Sequence, residues 1–134
     1  MLLITREQRQ KTGDPAFVAR VVQYLRMFHL AEMAHLSDEI LSNRVEHCIE
    51  KARAHGLTYE RTLTVFTANM LRLNPEFAQQ PVLARILADT SRPEEERVQA
   101  LVFEASPRDW EEAAKRCDAD AYWKNVDAAV MEDD

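Results

Sequence analysis

Residues 37–75 read SDEILSNRVEHCIEKARAHGLTYERTLTVFTANMLRLNP, two apolar-periodic runs separated by one glycine. Ser37 is a residue type that caps helix N-termini, so the pattern predicts a helix that begins there and ends at Gly56. Thr58 starts the next helix, which ends before Pro75 because the residue preceding a proline avoids the helical region. Apolar side chains recur in this second run at intervals of four and three: Tyr59, Leu63, Phe66, Met70 and Leu73. The stretch therefore predicts two consecutive amphipathic helices.

The rest of the chain carries the same kind of helix signals. A capping box at Thr5 opens a short helix that ends at Gly13, and a looser stretch is expected at 29–36. Proline-marked starts predict further helices at Asp14–Pro15, Pro81, Pro93 and Ser106–Pro107. No strand-type alternation, internal repeat or linker competes with these signals. The sequence predicts an all-α fold, with residues 1–134 as one compact, non-repeating domain of about six to eight helices.

Composition agrees with a folded, helical, intracellular protein. Hydrophobic residues make up 46% of the chain and charged residues 30%, which is ordinary for a globular domain. There are two glycines, too few for the turns that sheet proteins need. The opening MLLITREQRQ does not have the pattern expected of a signal peptide, and no apolar run is long enough for a membrane span. We expect a cytoplasmic protein without a membrane partner, with its two cysteines as reduced thiols.

Charge is unevenly distributed along the chain. Residues 1–108 form a neutral body, whereas residues 109–134 hold nine acids and three bases and so carry the whole net charge of −6. An acidic end repels phosphate, which disfavours nucleic acid as a partner. This acidic C-terminal helical segment is either a solvated helix or a docking face for a basic protein.

The chemistry-bearing residues do not assemble into a recognisable catalytic or metal motif. Glu32 and His35 have the spacing of di-iron ligands, but the second copy that such a site needs is missing. His47–Cys48 lacks the further ligands that zinc requires, and neither cysteine has an activating motif. We therefore expect no enzyme activity, no catalytic residue, no metal and no cofactor.

Aromatic and acidic side chains are the candidate contacts for a protein partner. Tyrosine and tryptophan are common interface anchors, although core packing is the alternative for each of them here. Trp123 is the best candidate for an exposed aromatic because Tyr122 precedes it and both can hardly point inward. The candidate protein-binding residues are Tyr59, Trp110, Asp118, Asp120, Tyr122 and Trp123.

The helix that follows Pro15 has more apolar residues than one buried face needs. They are Phe17, Val18, Val21, Val22, Tyr24, Leu25, Met27 and Phe28. A helix that is apolar on more than one stripe is either central in the fold or touches a partner. A self-associating structural protein, with this helix as the seam of a homodimer, is therefore an alternative.

The sequence from His47 to Asp89 resembles a family of small bacterial proteins encoded beside type VI secretion spike and toxin genes. The shared positions are Gly56, Leu57, Thr58, Glu60, Arg61, Pro75, Glu76, Phe77, Ile86, Leu87 and Asp89. The opening LLITREQRQ is also similar, and the resemblance covers roughly residues 1–103. The chain departs from the family at Asn74, where glycine is common, and at Leu83, where an aromatic residue is common.

This resemblance implies an accessory role without catalysis. The chain would bind a secreted toxin or its spike carrier as an adaptor or chaperone. The alternative is a cognate immunity protein that holds the toxin inactive in the producing cell. Either role needs a rigid helical surface and no active site.

Overall fold

The computed structural model describes residues 14–132, so the helix expected from Thr5 to Gly13 lies outside the described residues. Eight α-helices and one 3-10 turn follow one another. They are α1 (Pro15–Phe28), α2 (Leu30–Met33), α3 (Asp38–Ala54), α4 (Glu60–Arg72), η1 (Phe77–Gln79), α5 (Pro81–Ala88), α6 (Glu94–Glu104), α7 (Pro107–Ala114) and α8 (Ala119–Glu132). Within residues 14–132 no strand occurs. The predicted all-α array of six to eight helices is confirmed.

Two short elements differ from the sequence expectation. The stretch at 29–36 contains the four-residue helix α2, and the turn after Asn74–Pro75 contains η1. Neither is long enough to give a detectable apolar period. Arg26 fixes the α2 region, because its guanidinium donates to the carbonyl oxygens of Met33 and Leu36, both at 2.6 Å.

Helix α3 lies at the centre of the fold and packs against α1, α4 and α8. Its inward side chains are fully or almost fully buried: Leu41, Val45, Cys48, Ile49 and Ala52. Burial raises the pKa of the Cys48 thiol far above its usual range, so this sulfur behaves as a small apolar group.

The corner between α3 and α4 explains the Gly-Leu-Thr motif of the resemblance. Gly56 has a φ of 83°, the left-handed conformation that glycine adopts without strain. Leu57 is fully buried. Thr58 precedes α4 by two residues, and its hydroxyl donates to Glu94 at 2.8 Å. The three residues of the motif thus have roles in the fold, although Gly56 and Thr58 are exposed.

Glu94 caps α4, the helix that the sequence predicted to start at Thr58. This α6 carboxylate accepts the backbone N–H of Thr58 at 2.6 Å and that of Tyr59 at 3.0 Å. Helix α4 therefore begins at Glu60 and not at Thr58. Burial would raise the pKa of Glu94, but the hydrogen bonds from Thr58, Tyr59 and Thr62 outweigh it and leave the pKa below its ordinary value. A negative charge at a helix N-terminus is also favoured by the helix dipole.

Arg97 complements Glu94 one turn later on the same helix. Its Nη1 donates to the Leu87 carbonyl at 2.8 Å and to the His55 carbonyl at 3.4 Å. These oxygens belong to the C-terminal ends of α5 and α3, where a cation is favoured. The inner side of α6 thus holds three helix ends together.

Candidate protein-binding surfaces

Trp123 lies in the core, so the expectation that it is an exposed aromatic is wrong. Its side chain is 5% exposed between α8 and α3. The Arg44 guanidinium sits over its ring at 5.2 Å and donates twice to the Asp127 carboxylate, at 2.8 and 3.1 Å. Trp123 turns inward because α8 needs a large apolar side chain to pack on α3. In this fold it anchors α8 and is not available for a surface contact.

Tyr122 is half-buried and hydrogen-bonded. Its hydroxyl lies 2.6 Å from His47 Nε2 on α3. Burial, helped by Cys48 and Glu76, raises the pKa of Tyr122 to about 12. Burial and then Lys51 lower the pKa of His47. Both groups are thus neutral at pH 7, and the pair supports α8 instead of presenting a charge.

Trp110 is also used within the fold. Its Nε1 donates to the Leu101 carbonyl at 3.2 Å, and its ring stacks on Phe77 with centroids 6.4 Å apart. These contacts tie α7 to α6 and η1. The remaining exposure of Trp110 is partial.

Three of the six predicted contact residues are exposed. Tyr59 precedes the first residue of α4, and Asp118 and Asp120 lie at the start of α8. Asp118 accepts the backbone N–H of Ala121 at 3.1 Å, which is the hydrogen bond of a helix cap. The structure does not bring these three residues together with an exposed tryptophan.

An exposed apolar site that the sequence expectations missed lies on α6. Phe103 is 82% exposed, and its neighbour Val102 is exposed as well. One turn earlier, Val98 and Gln99 line a groove of about 220 Å³ between α6 and α4, closed on the other side by Arg61 and Val65. We call Val98, Gln99, Val102, Phe103 and this groove the α6 surface. The signal in the sequence was the adjacent Val-Phe pair, of which only one residue can face the core.

A second apolar site lies along α1, the helix whose sequence was too apolar for one buried face. Tyr24, Met27, Phe28 and Leu30 are exposed at its C-terminal end. Tyr24 also lines a groove of about 420 Å³ between α1 and α4, together with Phe17, Arg20, Val21, Glu60 and Val65. We call this patch and groove the α1 surface.

Titratable groups converge at one small polar cleft. Lys51, His55, Glu76 and Tyr122 line a space of about 80 Å³, room for roughly two or three waters. Burial and Lys51 lower the pKa of His55. The thiol of Cys117 donates to Asn74 Oδ1 at 3.3 Å, and burial raises its pKa, so it is protonated at pH 7. This arrangement offers no activated nucleophile.

Within residues 14–132, no three His, Cys, Asp or Glu residues are grouped so that they could hold a metal ion. No described helix is long and apolar enough to cross a membrane.

Comparison with known proteins gives no family for the chain. No protein-family model matches it. No curated protein and no solved structure shows significant similarity to it. The two apolar surfaces are therefore the basis for a functional proposal.

Proposed function

We propose that the chain is a non-catalytic accessory protein that binds a protein partner through the α6 surface. The observation that carries this proposal is Phe103, whose aromatic ring is 82% exposed next to Val102 and one turn beyond the groove between α6 and α4. An isolated exposed aromatic costs free energy in water, whereas aromatic side chains are typical anchors of protein interfaces. The protonated thiols of Cys48 and Cys117 add support, because neither serves as a nucleophile.

The charge around the α6 surface suggests the chemistry of the partner segment. Glu95 and Glu96 are exposed at the start of α6, beside the apolar residues. Glu94, by contrast, is buried and caps the N-terminus of α4. An apolar segment flanked by Lys or Arg therefore complements this surface, through burial at the centre and charge attraction at the rim.

The resemblance suggests which proteins carry that segment. The partner would be a type VI secretion effector or its spike carrier, bound in the cytoplasm by an adaptor or chaperone. The alternative is an immunity protein that binds the same toxin to block it. A single exposed surface suits both roles, so the deletion phenotype has to separate them.

Binding is tested by co-expressing the chain with each protein encoded beside its gene and purifying the complex. Wild type should retain one of these partners, and Phe103→Glu should lose it by at least tenfold in affinity, about 1.4 kcal/mol. Phe28→Glu is the matched control, since it places the same charge on another exposed phenylalanine, away from α6. Retention of the partner by Phe103→Glu would contradict the assignment of the surface.

Role is tested by deleting the gene in the producing cell. An adaptor predicts that secretion of the partner stops while sibling cells remain resistant to it. An immunity protein predicts that siblings are killed and that co-expression rescues them. If neither phenotype appears and no encoded neighbour binds, the proposed function is wrong.

A further inference from the structure

The apolar stripe of α1 is longer than the part of it that other helices cover. Phe17, Val21, Tyr24 and Phe28 follow one another at intervals of four, three and four, so they share one face of the helix. Phe17 and Val21 are buried on that face, whereas Phe28 is 65% exposed. The described helices cover the start of the stripe and leave its end without a cover.

The stripe borders a recess at its start and, together with the neighbouring Met27, forms a projection at its end. The recess is the groove between α1 and α4, lined by Phe17, Val21 and Tyr24. The projection is formed by Met27 and Phe28. Val21 and Phe28 are seven residues apart, which is about 10 Å along a helix. In a two-fold dimer, a projection on each copy can fill the recess of the other copy.

We infer that two copies of this chain pair through the α1 surface, with their α1 helices antiparallel about a two-fold axis near Tyr24. In this arrangement Phe28 of each copy lies over position 20 of the other copy and enters its groove. Met27 of each copy then lies over Val21 of the other. Every contact occurs twice, as an isologous dimer requires.

The exposed apolar area is large enough to form the centre of a dimer interface. Tyr24, Met27, Phe28 and Leu30 are between 38% and 68% exposed. At roughly 180 Å² for a large apolar side chain, they present about 400 Å² together. Interfaces are about 60% apolar, so this patch implies about 650 Å² per copy and about 1,300 Å² in total. That total lies within the range of specific interfaces, about 1,200–2,000 Å².

The charges around the seam tolerate the pairing. Residues 27–31 include no acid, lysine or arginine, so burying the projection desolvates no such charge. At the groove, Arg20 and Glu60 neutralise each other at 2.9 Å, and the groove is also lined by Arg61. The Arg20 guanidinium already lies 5.7 Å from the Phe17 ring centroid. An entering Phe28 ring would meet the same cation, which adds a cation–π contact.

Sedimentation equilibrium of the full chain tests the pairing. The weight-average mass of wild type should rise with concentration towards twice the 15.5 kDa chain mass. Phe28→Glu should weaken the dimer at least about a hundredfold because it removes the aromatic ring from both grooves and puts a second carboxylate beside each Arg20–Glu60 pair. Phe103→Glu is the matched control and should dimerise like wild type.

Two results would overturn the inference. One is a wild-type chain that stays monomeric at about 0.1 mM, where a specific interface of this area is populated. A monomeric wild type would overturn the inference even if residues 1–13 or a different protein were then found to cover the α1 surface. The other is a dimer that Phe28→Glu leaves unchanged. Loss of partner binding in Phe103→Glu with an intact dimer keeps this test separate from that of the proposed function.

Cysteine crosslinking tests the position of the axis. Tyr24→Cys, with Cys117→Ser to remove the other partly exposed thiol, should form an intermolecular disulfide. Such a bond requires Cα atoms within about 7 Å, a condition met near a two-fold axis. Tyr59→Cys in the same background is at a more exposed position that lies off the seam, and it should stay monomeric on a non-reducing gel. A crosslink at residue 59 and not at residue 24 would overturn the antiparallel arrangement.

Discussion

The charge of Glu94 stabilises the start of α4. Glu94→Gln removes the negative charge and one of the two acceptor oxygens at the start of α4, and should lower the free energy of unfolding by about 2 kcal/mol. Glu95→Gln changes the next residue on the exposed side of α6 and should cost below about 0.5 kcal/mol. Chemical denaturation at pH 7 measures both values, and equal losses would contradict the cap.

The same variant predicts a pH dependence. The folded state lowers the pKa of Glu94 below its ordinary 4.5. Its contribution is therefore present above pH 4.5 and is lost as the pH falls through the lowered pKa, because protonation then becomes equal in both states. The stability difference between wild type and Glu94→Gln should shrink from pH 5 to pH 3. A difference that grows over this range would show the opposite shift.

Gly56 is the second residue with a specific conformational task. Gly56→Ala forces a side chain into the left-handed region and should cost about 1–2 kcal/mol. A Cβ there would meet only Arg97 Nη1, at 3.9 Å, so the cost is conformational and not a clash. Gly56→Asn should lose less because asparagine tolerates this region. Thermal unfolding measures both, and an alanine variant as stable as wild type would contradict the argument.

Residue-scale features were only partly readable from the sequence. The glycine at the end of α3 could be predicted, because helix C-termini favour this residue type. The residue that caps α4 could not be predicted. Thr58 is a common capping residue, but here it donates to a carboxylate 36 positions further along the chain. A local pattern cannot reveal an acceptor that arrives through tertiary packing.

At the scale of elements, α8 depends on a few large contacts with α3. Trp123→Ala should remove about 3–5 kcal/mol of stability, the usual cost of truncating a buried tryptophan. Asp120→Asn, on the exposed side of α8, should change stability by below about 0.5 kcal/mol. Denaturation followed by near-ultraviolet circular dichroism would measure both. A Trp123→Ala variant as stable as the Asp120→Asn variant would mean that α8 is not docked as described.

Element positions were more predictable than element orientations. Prolines and capping residues marked the starts of α1, α3, α5 and α7, since proline and serine act locally on the backbone. Which way α8 faces depends on what α3 offers it. The two adjacent aromatics suggested that Trp123 is exposed, but in the structure it packs on α3, with the Arg44 guanidinium over its ring and paired with Asp127.

At the scale of the whole molecule, the two apolar surfaces have different consequences. If α1 pairs two copies, the dimer carries two α6 surfaces and binds partners in pairs. On a densely immobilised partner, wild type should dissociate at least about tenfold more slowly than Phe28→Glu, since linked sites rebind before both are lost. On a sparse surface the two proteins should dissociate alike. Surface plasmon resonance at two densities measures this, and equal rates on the dense surface would contradict it.

The candidate site was the least predictable feature at this scale. The acidic character of residues 109–134 could be predicted because net charge can be counted in a sequence. The exposure of Phe103 could not, because it depends on the rotation of α6 about its axis, which the contacts of Glu94 and Arg97 fix. The excess apolar stripe of α1 was detectable, since a helix period shows how many faces are apolar even when it cannot show which one is covered.

The division of α6 into an inner and an outer side has a consequence for how specificity can change. Glu94 and Arg97 hold helix ends on one side, while Gln99, Val102 and Phe103 face outward. Substitutions on the outward side leave the interior contacts untouched and are nearly neutral for folding. The partner specificity of α6 can therefore change while the fold stays the same. A library confined to positions 95, 99, 102 and 103 is the natural starting point for redirecting the protein to another partner.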